Sequence, residues 1–234
     1  MLGGVSAAST SHPVASVLLE RLEPCYRAAA DPARAAPMSA YMRDQFPFLG
    51  VPAPQQTVLA RTVLAGLARP AEADLRIVAT ACWGLAEREF QYFGCGYLRR
   101  YQAVCSSEFL ATVRQLLVEK SWWDTVDTLA AHVVGPLVLR DAELVSTMDS
   151  WLSGENLWLT RTAILHQLAY KGHTDADRLF RYCAARADHP DFFIRKAIGW
   201  ALREYAKTAP SEVRSFVART ELSGLSRREA LKNL

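Results

Sequence analysis

Phe193-Ile194-Arg195-Lys196-Ala197-Ile198-Gly199-Trp200-Ala201-Leu202-Arg203 reads as a helix, with apolar residues recurring at spacings of three and four. Its core, Arg195-Lys196-Ala197-Ile198, is echoed by Arg161-Thr162-Ala163-Ile164, 34 residues earlier, and by Arg228-Glu229-Ala230-Leu231, 33 residues later. Carried backwards, the period meets Thr125-Val126-Asp127-Thr128, 36 residues before the first of these, and Arg88-Glu89-Phe90-Gln91, 37 residues earlier again. That spacing suits two-helix HEAT-like repeats, which bury their apolar faces by stacking into a curved solenoid with a concave surface. The remainder of the chain agrees, since helical periodicity continues between Gly and Pro breaks and no period-two stretch occurs. The expected fold is all-α. Helices are expected near 13–22, 31–45, 55–68, 72–84, 87–101, 107–119, 122–134, 142–152, 157–170, 175–186, 192–208, 211–218 and from 227 onward, with Phe46-Pro47-Phe48-Leu49-Gly50-Val51-Pro52 as a break.

In this register Asp127 stands where the later repeats carry a small alanine. It belongs to Lys120-Ser121-Trp122-Trp123-Asp124-Thr125-Val126-Asp127, in which Ser121 reads as a helix N-cap, Trp122 as the first helical residue and Asp124 as an acid complementing the helix dipole. Asp127 lies a full turn further in, where capping no longer accounts for a carboxylate and Asp is a mediocre helix former. Trp123, four residues before it, shares its helix face. Trp83, Trp151 and Trp158 sit in apolar helical contexts and read as core. Trp200 follows Gly199, and glycine inside a helix costs about 1 kcal/mol relative to alanine, so a close approach is expected there.

Half of the 234 residues are hydrophobic, which excludes disorder for the bulk of the chain. Met1 to Ser11 is small and uncharged and reads as a disordered lead over 1–11, ahead of a single HEAT-like repeat domain over 12–234. Neither a secretory signal nor an apolar run of membrane-spanning length is present, so a cytoplasmic protein is expected. The five cysteines and five histidines are scattered without ligand spacing, so no metal and no cofactor are expected. The net charge is only +3, yet from Pro190 onward nine Lys and Arg face five Asp and Glu. That local surplus, including Arg203 and Lys207, suits a basic face toward phosphates.

Several blocks also resemble a known family: Tyr41-Met42-Arg43 with Phe46-Pro47-Phe48-Leu49-Gly50, Glu87-Arg88-Glu89-Phe90-Gln91, the block from Lys120 to Asp127, Trp158-Leu159-Thr160-Arg161, and Phe193 through Lys207. In order and spacing they look like the AlkD-type DNA glycosylases of the bacterial DNA alkylation repair family. The resemblance implies a monomeric HEAT-like solenoid that grips duplex DNA in its concave face and hydrolyses the N-glycosidic bond of N3- or N7-alkylated purines. It also implies that the damaged nucleotide is not rotated into a pocket, unlike most enzymes acting on bases. By motif, Asp127 would be the catalytic carboxylate, Trp123 and Trp200 would flank the lesion's deoxyribose, Arg161 would contact the DNA backbone and Tyr41 would lie near the lesion. The Ala- and Arg-rich composition suggests a high-GC bacterial genome, and some family branches in antibiotic-producing actinobacteria remove bulky minor-groove adducts as self-resistance. The alternative, a non-catalytic HEAT-like scaffold binding DNA or protein, would be marked by loss of Asp127 or of either flanking tryptophan; all three are present.

Overall fold

The computed structural model describes residues 12–234, and the lead expected over 1–11 lies outside them. Among the described residues every regular element is helical, and no helix is long and apolar enough to cross a membrane. In chain order the α-helices are α1 (Pro13–Ala28), α2 (Pro32–Tyr41), α3 (Ala53–Leu64), α4 (Glu72–Gly84), α5 (Arg88–Tyr101), α6 (Phe109–Val118), α7 (Trp123–Leu129), α8 (Gly135–Arg140), α9 (Val145–Ser153), α10 (Leu157–Leu165), α11 (Ala176–Ala185), α12 (Phe192–Ala206), α13 (Pro210–Arg219) and α14 (Gly224–Ala230). The chain divides into two compact units between Gly94 and Cys95, within α5.

In the first unit α1 packs on α3 and α4 around Leu18, Leu22, Tyr26, Leu75, Val78 and Phe90, all buried. The break after α2 is tied down by charge. Glu89, wholly buried at the start of α5, accepts backbone N–H bonds from Leu49 at 2.9 Å, Gly50 at 2.9 Å and Val51 at 3.1 Å. A buried carboxylate is tolerated when its oxygens are satisfied in this way, and these three donors belong to a loop that has no helix of its own to bond within. Gly50 is obligatory: its φ is +87°, and a Cβ there would lie 2.0 Å from the Asp31 carbonyl oxygen. Arg88, also wholly buried, stacks 3.8 Å above the Phe46 ring.

The second unit is built from helix pairs. α9 packs on α10, α11 on α12 and α13 on α14, while α7, α10, α12 and α14 pack successively on one another. The recurring alanine explains the period. Ala163, Ala197 and Ala230 are fully buried along that succession, where a small side chain lets neighbouring helices approach. Gly199 goes further: a Cβ there would lie 2.5 Å from Glu229 Cβ and 2.9 Å from the Ser226 carbonyl oxygen, so α12 and α14 meet where glycine alone fits.

Two local expectations are corrected. Ser121 does not cap α7, because its hydroxyl donates to the Leu117 carbonyl at 2.7 Å and so closes the preceding helix; α7 begins at Trp123, and Asp124 accepts from the Thr125 N–H at 2.9 Å. Nor does the helix stop near Val134. α7 runs through a π-helical turn, Ala130–Val134, directly into α8. Pro136 has no N–H for the His132 carbonyl, and the Gly135 N–H bonds instead to Ala130, five residues back.

Candidate active site

α7 and α10 lie side by side, which places Asp127 against Arg161. Arg161 Nε donates to Asp127 Oδ1 at 2.7 Å and Nη2 to Oδ2 at 2.8 Å, a two-pronged pair that fixes the carboxylate plane. Arg161 Nη1 donates to the Phe193 carbonyl in the first turn of α12, so one guanidinium ties α7, α10 and α12 together. The Asp127 side chain is 11% exposed and that of Arg161 5%. Arg161, expected at the DNA backbone, has its guanidinium buried and engaged with Asp127 and Phe193.

Burial pushes the Asp127 carboxyl above its ordinary value, the hydrogen bonds and charge of Arg161 oppose this, and the charge of Asp124 adds to the upward push. What water still reaches the carboxylate does so through a cleft of about 350 Å³, lined by Asp127, Thr128, Ala131 and His132 on one side and by Leu168, Ala169, Lys171, Trp200 and Glu204 on the other. Trp200, half-buried on α12, shares that cleft with the carboxylate. Trp123, also half-buried, stands one turn before Asp127 on α7. His132 is drawn below its ordinary value by burial and by Arg99, so it brings no positive charge into the cleft at neutral pH.

Arg203 and Lys207 do not line the cleft of Asp127. Arg203 donates to Glu229 Oε2 at 2.9 Å, Lys196 to Oε1 of the same carboxylate at 2.9 Å, and Lys207 to Glu204 at 2.6 Å. Three of the nine basic residues after Pro190 are thus paired with two carboxylates, Glu229 and Glu204. Tyr41, in the first unit, is 72% exposed at the end of α2, beside an apolar hollow of about 250 Å³ bounded by Met38, Met42, Phe48 and Tyr92.

Some of the site was missed in the sequence. Trp158 is half-buried rather than core, in an aromatic cluster with Trp122 at 5.7 Å and Phe193 at 5.1 Å between ring centroids. Those three rings come from the beginnings of α7, α10 and α12, and only the repeat register could have aligned them. His132 and Lys171 had no signal in the sequence, because both enter the cleft from irregular turns. The expectation about metals rests on scattered ligands, and among the described residues no cluster of three or more His, Cys, Asp or Glu could hold an ion.

Residues 24–234 match the family model described as DNA alkylation repair enzyme. A solved structure described as a predicted DNA alkylation repair enzyme from Enterococcus faecalis is 33% identical, with a TM-score of 0.81 over 88% of this chain and 96% of that chain. A second, smu.31 from Streptococcus mutans UA159, is 16% identical with a TM-score of 0.58 over 77% of this chain and 92% of that one, a likeness of fold alone. No curated protein matches the chain.

Proposed function

The chain belongs to the DNA alkylation repair enzyme family, and on that premise we propose that it is a monofunctional glycosylase hydrolysing the N-glycosidic bond of cationic N3- or N7-alkylated purines in duplex DNA. One observation carries the reading: a carboxylate fixed by a two-pronged arginine at the edge of a cleft that also holds an indole.

Alkylation at N3 or N7 leaves the purine cationic, so the base departs as a neutral molecule when it takes the electrons of the C1′–N bond. No general acid is required. What the barrier lacks is stabilisation of the positive charge growing on the deoxyribose, and a preorganised carboxylate supplies it. Asp127 has that role, and it also orients the water that forms the new C1′–O bond. Trp123 and Trp200 flank the sugar and add cation–π attraction. Arg161 acts through Asp127, holding its plane and opposing the loss of its charge on burial. Tyr41 is assigned a place near the lesion, and Arg203 and Lys207 to the DNA backbone, each exchanging a carboxylate for a phosphate as the duplex docks.

The small side chains of Ala131 and Ala169 leave the cleft its volume, which supports acceptance of bulky as well as small cationic adducts with the lesion kept in the stack. The reaction is hydrolytic and calls for no cofactor, and the protein is assigned to the cytoplasm as a monomer. Single-turnover release of 7-methylguanine from a defined duplex tests the reading: Asp127→Asn is expected to lose about 10²–10³-fold in rate, the usual effect of removing one electrostatic stabiliser, while duplex binding is retained. An Asp127→Asn rate close to the parent's overturns it.

A further inference from the structure

Four of the basic residues that motif and composition direct toward DNA are already engaged inside the protein: Arg161 with Asp127 and Phe193, Arg203 and Lys196 with Glu229, Lys207 with Glu204. Lys171 differs from them. It follows α10 in the short turn Lys171–His173, is exposed, and has no carboxylate at ion-pair distance among the described residues. It lines the cleft that holds Asp127 and Trp200, and it also lines an adjoining hollow of about 220 Å³ whose polar lining is Gln167, Thr174, Tyr205 and Thr208 with the Glu204–Lys207 ion pair.

Its backbone points the same way. Lys171 has a φ of 54°, in the left-handed region that costs an ordinary residue about 1–2 kcal/mol. The next residue is Gly172, which has no positive φ and where a Cβ would meet nothing. The chain therefore spends its glycine where neither backbone nor space calls for one, and puts a lysine where glycine would be easier. A strained backbone kept under a charged side chain at the mouth of a cleft is the pattern of a functional position rather than of a filler turn.

We propose that Lys171 is the residue that takes a backbone phosphate of the lesion-bearing strand. The proposal rests on the glycosylase reading only for the identity of the strand. A cation with no internal carboxylate to release gains its whole interaction from the DNA, whereas Arg203 and Lys207 each give up an ion pair to reach it.

The test is the salt dependence of binding, measured by fluorescence anisotropy on an undamaged duplex and on one carrying a tetrahydrofuran abasic analogue. Losing one phosphate contact makes the slope of log affinity against log salt shallower by about 0.9. Lys171→Gln is expected to show that change equally on both duplexes, and Lys171→Arg to keep the parent's slope. Lys171→Gly separates charge from folding, because glycine relieves the left-handed backbone: it is expected to melt no lower than the parent and still lose the slope. An unchanged slope in Lys171→Gln, or a change in Lys171→Arg as large, overturns the proposal. A parent protein that binds duplex with a steep salt slope but releases no alkylpurine sinks the glycosylase reading and leaves Lys171 standing; a parent with no salt-dependent binding sinks both.

Discussion

The charge on Asp127 is decided by two opposing influences of its own surroundings. Withdrawal from water favours the neutral acid and raises the carboxyl above its ordinary value, while the Arg161 fork favours the carboxylate and draws it back. Since stabilisation of a sugar cation requires the ionised form, excision is expected to fall as pH drops through a midpoint above the ordinary carboxylate range. Arg161→Gln removes the influence that lowers this midpoint, so its acid limb is expected to move to higher pH as well as its plateau to fall. A pH profile of single-turnover release at saturating enzyme checks this. A lower plateau with an unmoved limb would mean that Arg161 serves the fold and not the ionisation of Asp127.

At the scale of helices the contact between α12 and α14 is the most exacting. Gly199→Ala drives a methyl group to 2.5 Å from Glu229 Cβ and 2.9 Å from the Ser226 carbonyl, and the backbone on one side cannot yield as a long side chain would. A loss of about 1–3 kcal/mol is expected, the usual cost of overpacking, read as a lower denaturant midpoint. This glycine could be recognised in advance because its cost inside a helix is a property of the residue alone. The helical class and the recurring alanine were legible for a like reason, since both are written as periodicity. The π turn was legible only in its cause, Pro136, and not in its effect, because a missing N–H ends some helices and widens others, and the outcome depends on what packs alongside. The Ser121 cap failed because its hydroxyl donates to the Leu117 carbonyl and closes the helix before it. The pairing of Arg161 with Asp127 was not legible, for a motif records which residues recur and not which carboxylate a guanidinium meets in the fold.

For the molecule as a whole, the prediction concerns which lesions it will process. On the proposed reading Asp127 and the indoles stabilise only the sugar, and His132, held below its ordinary value by burial and Arg99, is not charged to protonate a departing base. Release is therefore expected to follow lesion charge: N7-methylguanine and N3-alkyladenine leave, whereas hypoxanthine and 1,N6-ethenoadenine are retained or released very slowly. Matched duplexes differing only in the lesion decide it, and efficient release of the neutral bases would reveal a proton donor. The guanidinium that joins α7, α10 and α12 has one more consequence. Repeat proteins change in evolution by copying or dropping whole repeats, and most boundaries tolerate the insertion of another. A repeat inserted between these three would carry Arg161 away from either its carboxylate or its carbonyl, so this block must be inherited intact, while lengthening and trimming are confined to the repeats on either side of it.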